Sequence, residues 1–215
     1  MSICNKLYVY ILNKRLTFWI ENNNLLNESQ TGFRKKYSTI YHLFTLMSLI
    51  QKQLLHQKKK MYVAFTDFRK AFDSVIRSKL LAVLKKKRSE KKKKMYQAIV
   101  SMYHVVKSKV RAGNDLTESC MCPRGLKQGE ICSPALFSLF IDELANEIMQ
   151  RGKHGIQVIP DLVEIVILLF ADDGILVSDT VCGLQNQLNV LCNTANHLGR
   201  VVVNLDKSGK KKVDI

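Results

Sequence analysis

One apolar run in this chain ends directly in acidic side chains. Residues 165–171 form the longest uninterrupted apolar run, and Asp172, Asp173 and Gly174 precede a second apolar segment at 175–178. A run of this length, followed by turn-forming residues, is typical of a buried strand that enters a hairpin. The pattern therefore predicts a buried hairpin with two carboxylates at its tip.

A third aspartate ends another predicted strand. Asp67 follows the β-branched and aromatic segment 61–66. Burying uncompensated carboxylates costs several kcal/mol each, so they need a neutralising partner. Mg²⁺ prefers oxygen ligands, and two such ions about 4 Å apart serve phosphoryl transfer. Because an Asp-Asp-Gly turn is also ordinary turn chemistry, the spacing alone leaves the metal interpretation open.

The rest of the chain alternates helical and strand patterns, which indicates an α/β or α+β fold around one sheet. Ser38 or Thr39, Ser133 before Pro134, and Asp179 or Thr180 are the expected N-caps of three helices. The helical patterns occupy residues 1–30 with a polar break at 21–24, 38–57, 75–87, 95–107, 135–150 and 180–198. The strand patterns occupy 61–68, 108–112, 162–170, 175–178 and 201–203.

The positive charge is concentrated in one stretch. The 215 residues carry a net charge of +16, and residues 51–112 hold 19 basic and 3 acidic side chains, while the remainder is neutral. Residues 85–94 (KKKRSEKKKK) are the densest part and predict a solvated loop. A localised field of this size favours a polyanionic partner, with nucleic acid as the first choice.

Membrane and secretory classes are disfavoured. The longest apolar run has seven residues, whereas a membrane helix needs about 20, and Lys14 and Arg15 interrupt the apolar N-terminal segment. The six cysteines lack zinc-finger spacing, which favours reduced thiols. We expect an intracellular protein of the nucleus, the cytoplasm or both, neither secreted nor membrane-spanning, and no protein partner can be inferred.

Five segments, in order, resemble the blocks of a reverse transcriptase of the non-LTR (LINE-type) retrotransposon class. The resemblance covers about residues 27–208 and implies an α+β fold, the right-hand polymerase palm, with an antiparallel sheet flanked by helices and partial fingers. The segments are NESQTGFRKKYST (27–39), AFTDFRKAFDSV (64–75), RGLKQGEICSPALFSLFIDEL (124–144), LLFADDGILVSDT (168–180) and LGRVVVNLDKS (198–208).

The resemblance implies roles for the three aspartates. Asp67 matches the metal ligand of the second block, and Asp172 matches the ligand that shares both ions. Asp173 matches the neighbouring carboxylate, whose coordination is less direct. The implied cofactor is a pair of Mg²⁺ ions, with Mn²⁺ as an alternative. The implied partners are an RNA template, a DNA primer and a dNTP.

The resemblance also implies nucleotide-binding residues. Phe72 matches the aromatic side chain that excludes a ribose 2′-hydroxyl, and Asp73 fits a cap for the following helix. Gln128 and Gly129 match the loop that packs on the incoming nucleotide. Two further groups match phosphate-handling positions: Arg34 with Lys35 or Lys36 for the triphosphate, and Lys207 as the acid for pyrophosphate.

The expected organisation is one reverse transcriptase domain. Residues 1–60 are expected to form N-terminal helices and a fingers segment. Residues 61–215 are expected to form the palm with an inserted basic segment, and the thumb is expected to be absent. The implied activity is RNA-directed DNA polymerase. Two alternatives stay open, namely an inactive remnant that only binds nucleic acid and a group II intron-type enzyme acting as a maturase.

Overall fold

Seven α-helices and ten short strands appear in the part of the chain that the structure describes. This computed structural model describes residues 3–87, 92–113, 115–152 and 154–198, and the backbone of 202–203. The helices are α1 (Ile3–Asn22), α2 (Thr39–Ile50), α3 (Ala71–Ser74), α4 (Arg77–Lys87), α5 (Lys93–His104), α6 (Ser133–Arg151) and α7 (Val181–Leu198). A π-helical segment, Gln51–His56, continues α2.

The strands form one larger sheet and three small ribbons. They are β1 (Tyr62–Arg69), β2 (Lys107–Ser108), β3 (Arg111–Ala112), β4 (Asp115–Leu116), β5 (Cys120–Met121), β6 (Ile156–Ile159), β7 (Val163–Ile165), β8 (Ile167–Phe170), β9 (Asp173–Ser178) and β10 (Val202–Val203). The larger sheet has the antiparallel order β10-β1-β9-β8. The ribbons pair β2 with β5, β3 with β4, and β6 with β7. The antiparallel pairing confirms the α+β class.

Helix α6 forms the centre of the core. Its apolar side chains from Leu136 to Ile148 are buried on nearly every turn, and the helix contacts α1, α4, α7 and β8. A helix that is apolar around most of its circumference must be covered on several sides. The larger sheet therefore has one face on this core and leaves part of the other face open.

Residues 25–27 are tied to α6 by a buried carboxylate. Asp142 is 1% exposed and accepts hydrogen bonds from the backbone N–H of Asn27 at 2.6 Å and from Lys87 Nζ at 2.7 Å. Lys87 also donates to the carbonyl oxygen of Leu25 at 2.9 Å. Removing one partner of a buried, hydrogen-bonded ion pair of this kind is strongly destabilising. The contact holds residues 25–27 against the core.

The helix-cap predictions have mixed outcomes. Thr180 caps α7, because its Oγ1 accepts the N–H of Gly183 at 3.1 Å. The prediction for Ser133 is wrong: it is the first residue of α6, and its hydroxyl donates to the carbonyl oxygen of Lys127 at 2.7 Å. Ser38 precedes α2 as predicted but makes no side-chain cap. The expected turn at 171–174 is shorter, since β9 begins at Asp173.

Two other features match the sequence expectations within the described residues. All six cysteines have free thiols, at positions ranging from the buried Cys132 to the exposed Cys4. None of the helices described combines the length and apolarity needed to cross a bilayer.

Candidate active site

Three aspartates meet at one end of the larger sheet. Asp67 in β1 is the direct cross-strand partner of Asp173 in β9. Directly opposed side chains in an antiparallel pair have Cβ atoms about 5 Å apart. Asp172 is the second residue of the two-residue turn that joins β8 to β9. The structure thus places the three aspartates that the sequence singles out at the same end of the sheet.

Two of these carboxylates, Asp67 and Asp173, lie on the open side of the sheet. Thr66 and Phe68, on either side of Asp67 in β1, are buried at 5% and 2% exposure and face the core. Because side chains alternate along a strand, Asp67 projects to the opposite face, where it is partly buried. Asp173 shares that face and is exposed. An approaching ligand can therefore reach both side chains.

The donor set suits a hard divalent cation, although the side chains do not form a closed cage as they stand. Three carboxylates supply the oxygen ligands that Mg²⁺ and Mn²⁺ accept. In the described parts of the chain, however, no group of three or more His, Cys, Asp or Glu side chains is close enough to hold one ion. The backbone register is set, and side-chain rotation would have to complete the site.

Phe72, in α3 just after β1, forms part of an aromatic stack. Its ring stacks on the fully buried Phe137 with 4.4 Å between centroids and a 16° interplanar angle. Phe33 meets the same ring edge-on at 6.1 Å. Each such pair contributes about 0.5–1.5 kcal/mol beyond area burial. The ring is held rigidly while staying partly exposed.

The loop that carries Gln128 packs on the segment after β1. Gln128 Nε2 donates to Asp73 Oδ1 at 3.0 Å. Gly125 lies so close that a Cβ there would be 3.1 Å from the Asp73 backbone, and its φ is +83°. The prediction that Asp73 caps a helix is wrong, since Asp73 lies inside α3 and binds Gln128 instead. This contact joins the two site segments.

Gly129 forms the exposed tip of that loop. Its φ is +78°, a conformation that glycine adopts without the Cβ penalty, and an added Cβ would meet no atom within 4 Å. The Glu130 N–H donates to the carbonyl oxygen of Lys127 at 3.2 Å and closes the turn. The space beside Gly129 permits close approach by a ligand.

Glu130 lies buried behind this loop. One of its carboxylate oxygens has no hydrogen-bond partner, and the nearest cation, Lys127 Nζ, is 4.0 Å away. Desolvation by burial raises the pKa of Glu130, against the opposing effect of Lys127. Burial also raises the pKa of Cys132 to about 12 and the pKa of Tyr103 above its ordinary value. Cys132 and Tyr103 therefore stay neutral at acidic and neutral pH.

Arg34 is bound to an acidic partner. Its Nη2 lies 2.9 Å and its Nε 3.2 Å from the two carboxylate oxygens of Glu21 in α1, and the guanidinium lies over the Tyr37 ring at 4.5 Å. The hydrogen bond to Glu21 raises the pKa of Arg34. The side chain is 9% exposed, whereas Lys35 and Lys36 are exposed. A phosphate would have to displace Glu21 to reach Arg34.

Two residues near the aspartates were missed by the sequence analysis. Gln30, fully buried, bonds to the turn between β8 and β9. Arg69 follows Asp67 by two residues, so it lies on the same face and is exposed. Arg69 could have been found from the strand period. Nothing in the local pattern around Gln30 signals its contact.

Comparison with known proteins identifies the chain's family. Residues 1–211 match the family described as "Reverse transcriptase (RNA-dependent DNA polymerase)". The chain belongs to the reverse transcriptase family. The non-LTR resemblance of the five sequence blocks is thereby confirmed, since the relatives below are polymerases of such elements.

The relatives are proteins of insect retrotransposons. A Retrovirus-related Pol polyprotein from type-1 retrotransposable element R2 of Popillia japonica is 29% identical over 89% of this chain and 26% of its own length. A probable RNA-directed DNA polymerase from transposon BS of Drosophila melanogaster is 27% identical over 89% of this chain and 20% of its own length. This reverse transcriptase chain thus spans at most about a quarter of either relative.

A solved structure shares the fold. Telomerase from Candida albicans, in complex with a fragment of telomeric RNA, aligns with a TM-score of 0.66 and 13% identity, over 92% of this chain and 33% of that one. The likeness confirms the partial polymerase fold of this reverse transcriptase. Of the site residues expected for the family, only Lys207 lies outside the described residues. It follows β10, whose Val203 pairs with Phe68 next to Asp67.

Proposed function

We propose that this chain is the nucleotidyl-transfer part of an RNA-directed DNA polymerase, which adds deoxynucleotides to a primer 3′-hydroxyl on an RNA template. The observation that carries the proposal is the register that opposes Asp67 to Asp173 and puts Asp172 in the adjoining turn. Two opposed carboxylates on the open face of a sheet, with a third in the adjoining turn, suit phosphoryl transfer in a member of this family.

The aspartates would hold two divalent ions, Mg²⁺ or alternatively Mn²⁺. When bound, such ions activate the attacking hydroxyl and stabilise the leaving pyrophosphate. Asp67 and Asp172 would be the principal ligands, and Asp173 would contribute less directly. Fixing carboxylates on paired strands limits the reorganisation that the reaction requires, which is the main way in which a protein lowers this kind of barrier.

The surrounding residues would place the nucleotide. Phe72, fixed by its stack on Phe137, would back against the sugar and exclude a 2′-hydroxyl. Gln128 and Gly129 would pack on the incoming base pair, with Gln128 oriented by Asp73. Lys207 would serve as the acid for the leaving pyrophosphate.

Phosphate contacts near the fingers would fall to exposed cations. Lys35 is exposed, whereas the Arg34 guanidinium is occupied by Glu21. We therefore propose Lys35 as the direct triphosphate contact. Arg34 would order the segment that carries Lys35, unless it exchanges Glu21 for phosphate.

The basic segment favours a second candidate function. Exposed lysines at 58–60, 93–94, 107 and 109, with Arg111, lie on the stretch that carries the entire net charge. Such a surface attracts nucleic acid without regard to sequence. A chain that binds nucleic acid through this surface but does not extend a primer would be the catalytically inactive remnant.

Primer extension separates the two candidates. The purified chain is incubated with an RNA template, an annealed DNA primer, dNTPs and Mg²⁺, and template binding is measured in parallel. We expect extension by the wild type, none by Asp67→Asn or Asp172→Asn, and normal extension by Asp161→Asn. Asp161 is an exposed aspartate outside the larger sheet, so it controls for the change of charge.

Each outcome has one meaning. Undiminished extension by Asp67→Asn and Asp172→Asn would reject the assigned site. Binding without extension by the wild type would support the inactive remnant instead of the polymerase. Repeating the extension with a DNA template in place of RNA tests whether the chain prefers an RNA template, as proposed.

A further inference from the structure

A buried glutamine is bonded to the turn that carries the paired aspartates. Gln30 is 0% exposed, and its amide makes hydrogen bonds in both directions to one residue, Ala171. Nε2 donates to the Ala171 carbonyl oxygen at 3.3 Å, and Oε1 accepts the Ala171 N–H at 3.2 Å. Oε1 also accepts the N–H of Gly32 at 2.9 Å. The side chain pairs with Ala171 as a neighbouring strand would.

Ala171 directly precedes Asp172 and has an unfavourable backbone conformation. Its φ is +59°, which is disfavoured for a residue with a Cβ and persists only where the surroundings enforce it. A change of φ or ψ at this position would rotate the chain that follows. The orientation of Asp172 and Asp173 therefore depends on what holds Ala171.

The chain around Gln30 closes on the same turn. Leu169 in β8 exchanges backbone hydrogen bonds with Ser29, at 2.8 Å, and with Thr31, at 3.0 Å. A Cβ added to Gly32 would lie 2.1 Å from the Ala171 nitrogen, so only glycine permits this approach. Residues 29–32 thus form a short edge beside β8, and Gln30 extends that edge to the turn.

We propose that Gln30 is a positioning residue that fixes the β8–β9 turn and thereby sets the orientation of Asp172 and Asp173. The proposal rests on the polymerase function proposed above. Gln30 acts through the Ala171 main chain and touches neither substrate nor reacting atoms. Gln30 lies in the first of the five blocks, and the family resemblance assigns it no role.

The chain offers a matched control near the opposite end of β9, the strand that follows the turn. Gln187 in α7 is also 0% exposed, and its Nε2 donates to the carbonyl oxygens of Val177 at 3.0 Å and His154 at 3.4 Å. Val177 is in β9 but lies at the end opposite Asp173. Replacing either glutamine by methionine removes buried hydrogen bonds to the main chain: one donated and two accepted at Gln30, and two donated at Gln187, whose Oε1 has no partner among the described residues. Only Gln30 contacts the turn.

The experiment compares Gln30→Met with Gln187→Met. The measurements are urea unfolding, amide hydrogen exchange at Ala171, and the kcat and KM for dNTP in primer extension. We expect both variants to lose stability. Only Gln30→Met should raise the exchange rate of the Ala171 amide and lower kcat. We expect each to change by about tenfold, which corresponds to the loss of one or two net hydrogen bonds. The KM for dNTP should stay within about twofold of the wild-type value.

Equal losses of kcat in the two variants, in proportion to their stability, would overturn the proposal, as would unchanged exchange at Ala171. If Gln30→Met does not fold, Gln30→Asn keeps an uncharged amide that is one methylene shorter and cannot make both bonds to Ala171, and the same pattern is expected. A wild type without primer extension would reject the polymerase function, and exchange at Ala171 would still decide whether Gln30 fixes the turn.

Discussion

Asp67 and Asp173 face each other across β1 and β9. A divalent ion placed between two directly opposed carboxylates would interact with both at once, so this pairing offers a site for such an ion. The relationship links the fold to the proposed chemistry. It also gives a prediction that needs no substrate.

Mg²⁺ should stabilise this chain through that pair. A ligand at about ten times its Kd, bound only by the folded state, adds about 1.4 kcal/mol to the free energy of unfolding. We expect a rise of that order for the wild type in thermal or urea unfolding with Mg²⁺, and little or none for Asp67→Asn. Asp161→Asn should behave as the wild type. An equal Mg²⁺ response in all three proteins would place the ion elsewhere.

Phe72→Val should admit ribonucleotides. The change removes the ring that would back on the sugar, so we expect the ratio of kcat/KM for dNTP over rNTP to fall by about tenfold or more. The lost stack on Phe137 should also lower stability by about 1–3 kcal/mol. Phe140→Val, at another fully buried phenylalanine of α6, should lose stability without a change in sugar selectivity. Unchanged selectivity in Phe72→Val would remove it from that role.

Gln128 and Asp73 should act as one unit. Their hydrogen bond of 3.0 Å is exposed, so its net contribution is about 0.5–1.5 kcal/mol. Gln128→Ala should raise the dNTP KM, and Asp73→Ala should raise it through the loss of orientation. The double variant should show less than the sum of the two effects on the free-energy scale. Strict additivity in steady-state kinetics would show that the bond does not orient Gln128.

Lys35 and Arg34 should have different effects when replaced. Lys35→Ala removes an exposed charge, so we expect a several-fold higher dNTP KM that converges on the wild-type value at high salt, with unchanged stability. Arg34→Ala leaves Glu21 without its partner and should lower the free energy of unfolding by about 1–3 kcal/mol. A stable Arg34→Ala with a raised KM would show that Arg34 itself contacts phosphate.

Glu130 should make the stability of this chain fall as the pH rises. Its pKa is raised in the folded state, so between the unfolded and folded pKa values the folded protein keeps a proton that the unfolded chain releases. Stability therefore declines through that window and stays lower above it. Glu130→Gln should thus gain stability relative to the wild type as the pH rises above the ordinary pKa of a glutamate, because the buried carboxylate no longer ionises.

Urea unfolding at several pH values checks this prediction. Lys127, Tyr103 and Cys132 lie near Glu130. The pKa values of Tyr103 and Cys132 are raised, so neither side chain ionises in the pH range where Glu130 does. Glu118→Gln, at an exposed glutamate, is the control and should leave the pH dependence as it is. A difference between wild type and Glu130→Gln that does not vary with pH would exclude the buried carboxylate as the cause.

Local sequence was sufficient for most of the elements and for singling out the three aspartates. The period of two along β1 and the apolar run before Asp172 are properties of short segments, and the pairing of neighbouring strands by a two-residue turn follows from them. The alignment of Asp67 with Asp173 also follows if the apolar faces of β1 and β9 pack on one core. A shift of the strand register by one residue would turn Asp67 towards that core.

Contacts between distant segments were decided only by the tertiary structure. The hydroxyl of Ser133 binds the Lys127 backbone instead of capping α6, and Arg34 binds Glu21 in a helix that precedes it. Gln30 reaches Ala171 because residues 29–32 lie along β8, a placement that no local pattern encodes. Hydrogen-bonding side chains have several partners of similar energy, and only the packed core determines which of them is near.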